Sequence, residues 1–158
     1  MADYITLKDI AERIQNKDLL GLADETGLLS DEDLKNIIDG QNVVGSGAFL
    51  DAIQQCIDDA QSEVNTYLTN KYNVPFENVP KIIIKTTAEI AIYYLYSMGY
   101  QDIPDNWAVR YKQSLSMLKA IAKGDVSIGV QEKIDTTSND AMCTGRSRIF
   151  SRDSLKGY

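Results

Sequence analysis

The densest set of potential ligands lies between Asp24 and Asp33, where Asp24, Glu25, Asp31, Glu32 and Asp33 crowd together. An EF-hand loop needs oxygen ligands at its first, third and fifth positions and a glycine at the sixth. Counted from Asp24, the fifth position is Leu28 and the sixth Leu29, so the calcium pattern is broken. The chain has two cysteines, Cys56 and Cys143, and no histidine. Two thiols fall short of the usual tetrahedral zinc set, and without an imidazole no Ser-His-Asp or Cys-His relay can be built. Asp58, Asp59 and Glu63 offer carboxylates for acid–base work. Adjacent acids between apolar helical positions read more simply as a solvated face. Gly45-Ser46-Gly47 lacks the lysine and the preceding strand of a phosphate loop. These residues point to no catalytic, metal or cofactor site.

Stepping along the chain gives the elements that carry them. The central one is Phe49 to Asn70, in which Leu50, Ile53, Ile57, Ala60, Val64 and Tyr67 recur at alternating spacings of three and four. That is one buried stripe of a long amphipathic helix, with Asp51, Gln54, Asp58, Gln61 and Asn65 on the polar side. Upstream, Thr6 and Asp9 form a capping pair, with Ile5 and Ile10 as its hydrophobic staple. They open a short helix from Leu7 to Ile14 or Gln15, which Asn16 breaks. Asp18–Ala23 supplies another helical turn. Ser30 caps a helix over Asp31–Ile38, whose acidic first turn suits the positive helix end. Gly40 and Gly45-Ser46-Gly47 mark a flexible connection.

Downstream, Pro75 and Pro80 bound a loop that leads into Lys81–Met98. This helix is apolar nearly all round, with Lys81, Lys85 and Glu89 as its polar stripe. Tyr93, Tyr94 and Tyr96 on it read as core with hydroxyls at the rim, the alternative being an aromatic platform. Asp105 caps a helix over Asn106–Lys123, striped by Ala108, Tyr111, Leu115, Leu118 and Ala122 and closed by Gly124. The expected fold is an all-α, compact bundle of about four main helices over residues 1–130. Gln131–Gly145 has no period and few large apolar groups, which describes a linker.

The chain ends in a basic arm. From Arg146 to Tyr158, Arg146, Arg148, Arg152 and Lys156 face Asp153 alone. With a formal charge of −7 overall, a +3 arm leaves −10 on the remainder. The acidic body disfavours general nucleic-acid binding, which neutralises phosphates with Lys and Arg. A small DNA-binding regulator is the alternative reading, yet no helix clusters basic residues on one face. Arg146, Arg148, Ile149, Phe150, Arg152, Leu155 and Tyr158 are the candidate partner-docking residues, the apolar ones holding and the charges steering. The competing reading folds the arm back on its own acidic face. No run of eighteen apolar residues occurs. MADYITLKDI lacks a basic end followed by an apolar block, so the expectation is a protein that stays in the cytoplasm of its cell.

Three blocks together resemble a family of small Mu-like prophage proteins: YLTNKYNVPFENVP, AEIAIYYLY and RYKQSLSMLKAIAKGDVSIGV. The ending RIFSRDSLKGY is similar to how such proteins end. The resemblance implies a structural virion protein of the head–tail connector or head-completion type. It implies assembly in the host cytoplasm and a place at the virion neck; the absent histidine and the broken calcium spacing separately give the expectation of no metal and no turnover. Its implied partners are copies of itself in a ring and the portal and tail proteins. Residues 28–47 stand as an insertion relative to that family.

Overall fold

The computed structural model describes residues 3–24, 27–99 and 102–133. Within them the chain forms six α-helices: α1 (Leu7–Ala11), α2 (Asn16–Ala23), α3 (Asp31–Ile38), α4 (Gly47–Leu68), α5 (Lys81–Met98) and α6 (Asp105–Lys123). No strand forms among the described residues, and Tyr72 and Glu132 make one isolated antiparallel bridge. The all-α expectation is met.

The helix starts follow the capping chemistry of the sequence. The Thr6 amide donates to Asp9 Oδ2 at 2.8 Å, and Ile5 and Ile10 are both buried as the staple across it. At α3 the same box recurs, with the Ser30 amide on Asp33 Oδ2 at 2.9 Å and the Asp33 amide on Ser30 Oγ at 3.2 Å. The Ser30 hydroxyl, which donates to Asp33 Oδ2 at 2.6 Å, and then the Ser30 amide hold the Asp33 carboxyl below its ordinary range. The glycine run before α4 forms the entry to that helix. Ser46 is the N-cap residue, its hydroxyl donates to the Val43 carbonyl at 2.8 Å, and Gly47 is already helical. Asn16 begins α2, whereas the sequence placed it as the breaker of α1. The break comes earlier, after Ala11.

α4 and α5 form the most extensive helix pair, with α6 packed on both. Cys56 Sγ meets Met98 Sδ at 3.2 Å while Glu63, two turns on, meets Tyr94, so α4 and α5 run antiparallel. The buried stripe of α4 is Phe49, Ile53, Cys56, Ile57, Ala60, Val64 and Leu68. Its middle matches the sequence reading and its ends are displaced: Leu50 is 38% exposed and Tyr67 only partly buried. On α6 the most buried positions are Trp107, Ser114, Leu118 and Ile121: Leu118 is on the expected stripe and Trp107 and Ile121 flank it, while Ser114 was not expected inside. The body also runs past residue 130. Lys71 pairs with Glu132 at 2.8 Å and the Lys133 amide donates to the Lys71 carbonyl at 2.8 Å. The first residues assigned to the linker are therefore fastened to the loop after α4.

Candidate functional site

The candidate docking residues Arg146, Arg148, Ile149, Phe150, Arg152, Leu155 and Tyr158 lie outside the described residues, as does Cys143. What the structure places is the acidic body, which presents two polar features on α4.

The first is a groove of about 710 Å³ along one face of α4. Asp58, Gln61, Ser62, Asn65, Thr66 and Thr69 repeat every three or four residues along it, and Asp3 and Val74 complete the lining. The segment before α1 is fixed beside it by Tyr4. The Tyr4 amide donates to Gln61 Oε1 at 3.0 Å, and its hydroxyl donates to Asn65 Oδ1 at 2.5 Å and accepts the Phe76 amide at 3.1 Å. Gln61, assigned from sequence to the wet face, is thus a buried partner of Tyr4. At the other end of the groove, Gln54 Nε2 bridges Asp3 Oδ2 at 3.2 Å and Asp58 Oδ1 at 3.1 Å. No Lys or Arg among the described residues pairs with either carboxylate.

The second is a tyrosine layer where α4, α5 and α6 meet. Glu63 Oε2 accepts the Tyr94 hydroxyl at 2.5 Å, and Tyr111 approaches Oε1 at 3.5 Å. Tyr93 and Tyr111 stack with centroids 4.0 Å apart. Tyr96 is buried beside Trp107. The tyrosines therefore join helices together and form no open platform. Glu63, assigned from sequence with Asp58 and Asp59 to the solvated face, instead accepts hydrogen bonds inside this layer. Glu89 departs from the expected polar stripe in the same way. It is buried between α5 and α6, accepts the Ser114 hydroxyl at 2.6 Å, and has Lys85 at 3.9 Å.

Burial raises the Tyr94 pKa well above the ordinary 10.0, and the Glu63 carboxylate adds to the shift. Burial also raises Tyr4, Tyr96 and Tyr111. A raised folded-state pKa gives stability that is complete below the unfolded pKa and lost as pH climbs toward the folded value. The expected outcome is a melting temperature steady below pH 10 that falls progressively above it. Tyr94→Phe flattens that fall, and at neutral pH it costs about 1–2 kcal/mol through the lost charged hydrogen bond. Melting curves from pH 7 to 11.5 read both effects. An equal alkaline fall in parent and variant assigns it elsewhere.

Cys56 is buried with its thiol pushed up to about 11 by desolvation, which makes it an inert packing group near neutral pH. Among the described residues no group of three or more His, Cys, Asp or Glu is placed to hold a metal ion. Asp24 caps a turn instead, accepting the Leu29 amide at 2.8 Å. No helix among them is long and apolar enough to cross a membrane.

Fold and site together define a small all-helical domain whose inward polar groups hold helices to one another. The chain belongs to a bacteriophage family: the sequence model described as Bacteriophage Mu, Gp36 matches residues 4–145. Among its relatives is the Mu-like prophage FluMu protein gp36 of Haemophilus influenzae. That protein is 25% identical over 108 residues, which cover 67% of this chain and 74% of the relative. The family match takes in the segment from Tyr4 to Phe49, which the sequence blocks had left out. The ending RIFSRDSLKGY falls beyond it.

Proposed function

We propose that this chain is a structural protein of the virion, a head–tail connector or head-completion subunit. It assembles as a ring or other homo-oligomer at the neck and docks with portal and tail proteins without catalytic turnover. The observation that carries this reading is membership of the Mu Gp36 family over residues 4–145. The physical design is compatible with it. A ring subunit needs a core that folds by itself, and here Tyr4, Ile10, Leu19, Ile57, Ile90 and Ile121 close one from every part of the body. It also needs a means of engaging neighbours, for which the acidic body and the +3 arm supply complementary charge. Native mass spectrometry of the full chain, alone and with the portal protein of the same phage, tests the proposal. The expected result is a multi-copy assembly on the portal. A chain that stays monomeric and ignores both portal and tail proteins overturns it.

A further inference from the structure

Where the arm of a subunit rests before assembly is a separate question from what it grips in the particle. From the α4 groove we infer that it is the seat of the subunit's own C-terminal arm, with Arg146 and Arg148 set against Asp58 and Asp3.

Three observations carry this. First, the described chain ends at Lys133, and its ammonium donates to the carbonyl of Thr69, a residue that lines the groove. Lys133 is thus fastened beside the Thr69 end of the groove. Second, the lengths match. Asp58 lies eleven residues back from Thr69 along α4, about 16 Å at the helical rise. Arg146 is the thirteenth residue after Lys133. An unstructured chain of that length averages about 20 Å end to end and extends to roughly 45 Å. A tether whose mean length is close to the span holds its end near the greatest effective concentration, so a weak contact is occupied in cis. Third, the charges are complementary. Asp3 and Asp58 share Gln54, and no Lys or Arg lines the groove. The arm brings four basic side chains against one acidic. The rest of the lining is amide, hydroxyl and the Thr and Val74 methyls, a surface for a polar, extended segment. Such a contact is shallow and charge-dependent. It keeps the arm near its own body and gives way to a neighbour with deeper apolar pockets for Phe150 and Tyr158.

The test uses the full-length chain with Cys143→Ser and a nitroxide on Ser151→Cys. Buried Cys56, its thiol shifted upward, escapes labelling near neutral pH. Amide signals of Ser62, Thr66 and Thr69 are expected to broaden when label and ¹⁵N share one chain. They stay sharp when labelled, ¹⁵N-free chains are mixed with unlabelled ¹⁵N chains. Asp58→Lys lowers the broadening about two- to five-fold, the worth of an exposed charge pair. Salt near 1 M, where the screening length is about 3 Å, does the same. Broadening only in the mixed sample assigns the groove to a second copy's arm and overturns the inference. Broadening centred on another face, or none, overturns it as well, as does indifference to Asp58→Lys. Portal binding is read separately, so either idea can fail without the other.

Discussion

Ile57→Asp is expected to leave little folded protein at 37 °C. Ile57 is 2% exposed, in the middle of the α4 seam where α5 and α6 close over it. Removing the side chain forfeits about 1.5–3 kcal/mol of burial. The new carboxylate then has to be desolvated or protonated, which adds several kcal/mol more. The sum rivals the whole stability of a domain this size, roughly 5–15 kcal/mol. The control is Leu50→Asp, seven residues earlier on the same expected stripe. Leu50 is more than a third exposed, so its cost stays within about 1 kcal/mol. Urea unfolding followed by circular dichroism reads both. An Ile57→Asp protein that unfolds with the parent's midpoint means the seam has been wrongly placed.

The contrast between those two residues shows what the sequence could and could not convey. Period and caps were largely legible: five of the six helices end within about two residues of the expected bounds, because Ser30, Pro80 and Gly124 act locally, whereas Asp105, expected as the cap of α6, is its first helical residue and Pro104 takes the cap position. The face of a helix is decided by its neighbours, which a single stripe does not contain. Phe49 and Leu68 displaced Leu50 and Tyr67 because α4 is covered from several directions along its length. Polar residues made the same point more sharply. Gln61, Glu89 and Ser114 look like surface residues, and each is buried because a partner 25 or 57 positions away satisfies it. Tyr4 gave no signal at all, since its three partners lie on α4 and beyond Pro75. Of the candidate docking site, only the charge asymmetry was readable, and the groove that could answer it depends on that Tyr4 contact.

Deleting Arg146–Tyr158 is expected to leave the body folded and to abolish tail attachment. The body is expected to remain because its fastenings among the described residues, including Lys71 with Glu132 and Lys133, all lie upstream of the cut. Attachment fails, on the proposed function, because the deleted segment holds Ile149, Phe150, Leu155 and Tyr158. These apolar side chains are too few to make a core and are suited to anchoring in a partner. Phe150→Ala weakens attachment more than Lys156→Ala, since a desolvated aromatic anchor outweighs a rim charge that mainly steers encounter. Head filling and tail joining in a complementation assay, scored by electron microscopy, separate the variants. A truncated chain that still completes heads and accepts tails removes the arm from the mechanism. Equal effects of the two point changes would assign the docking to charge alone.

The Tyr4 contact also sets an order of events at the ribosome. Tyr4 is made before every one of its partners, Gln61, Asn65 and Phe76. At synthesis rates of about 5–20 residues per second, the last of them is added some 4–14 s later. Through that interval α5 (Lys81–Met98), on which both α1 and α2 pack, has not yet been made. Rare codons placed between α3 and Phe76 are expected to lengthen the time for which the faces of α1 and α2 that meet α5 stay uncovered.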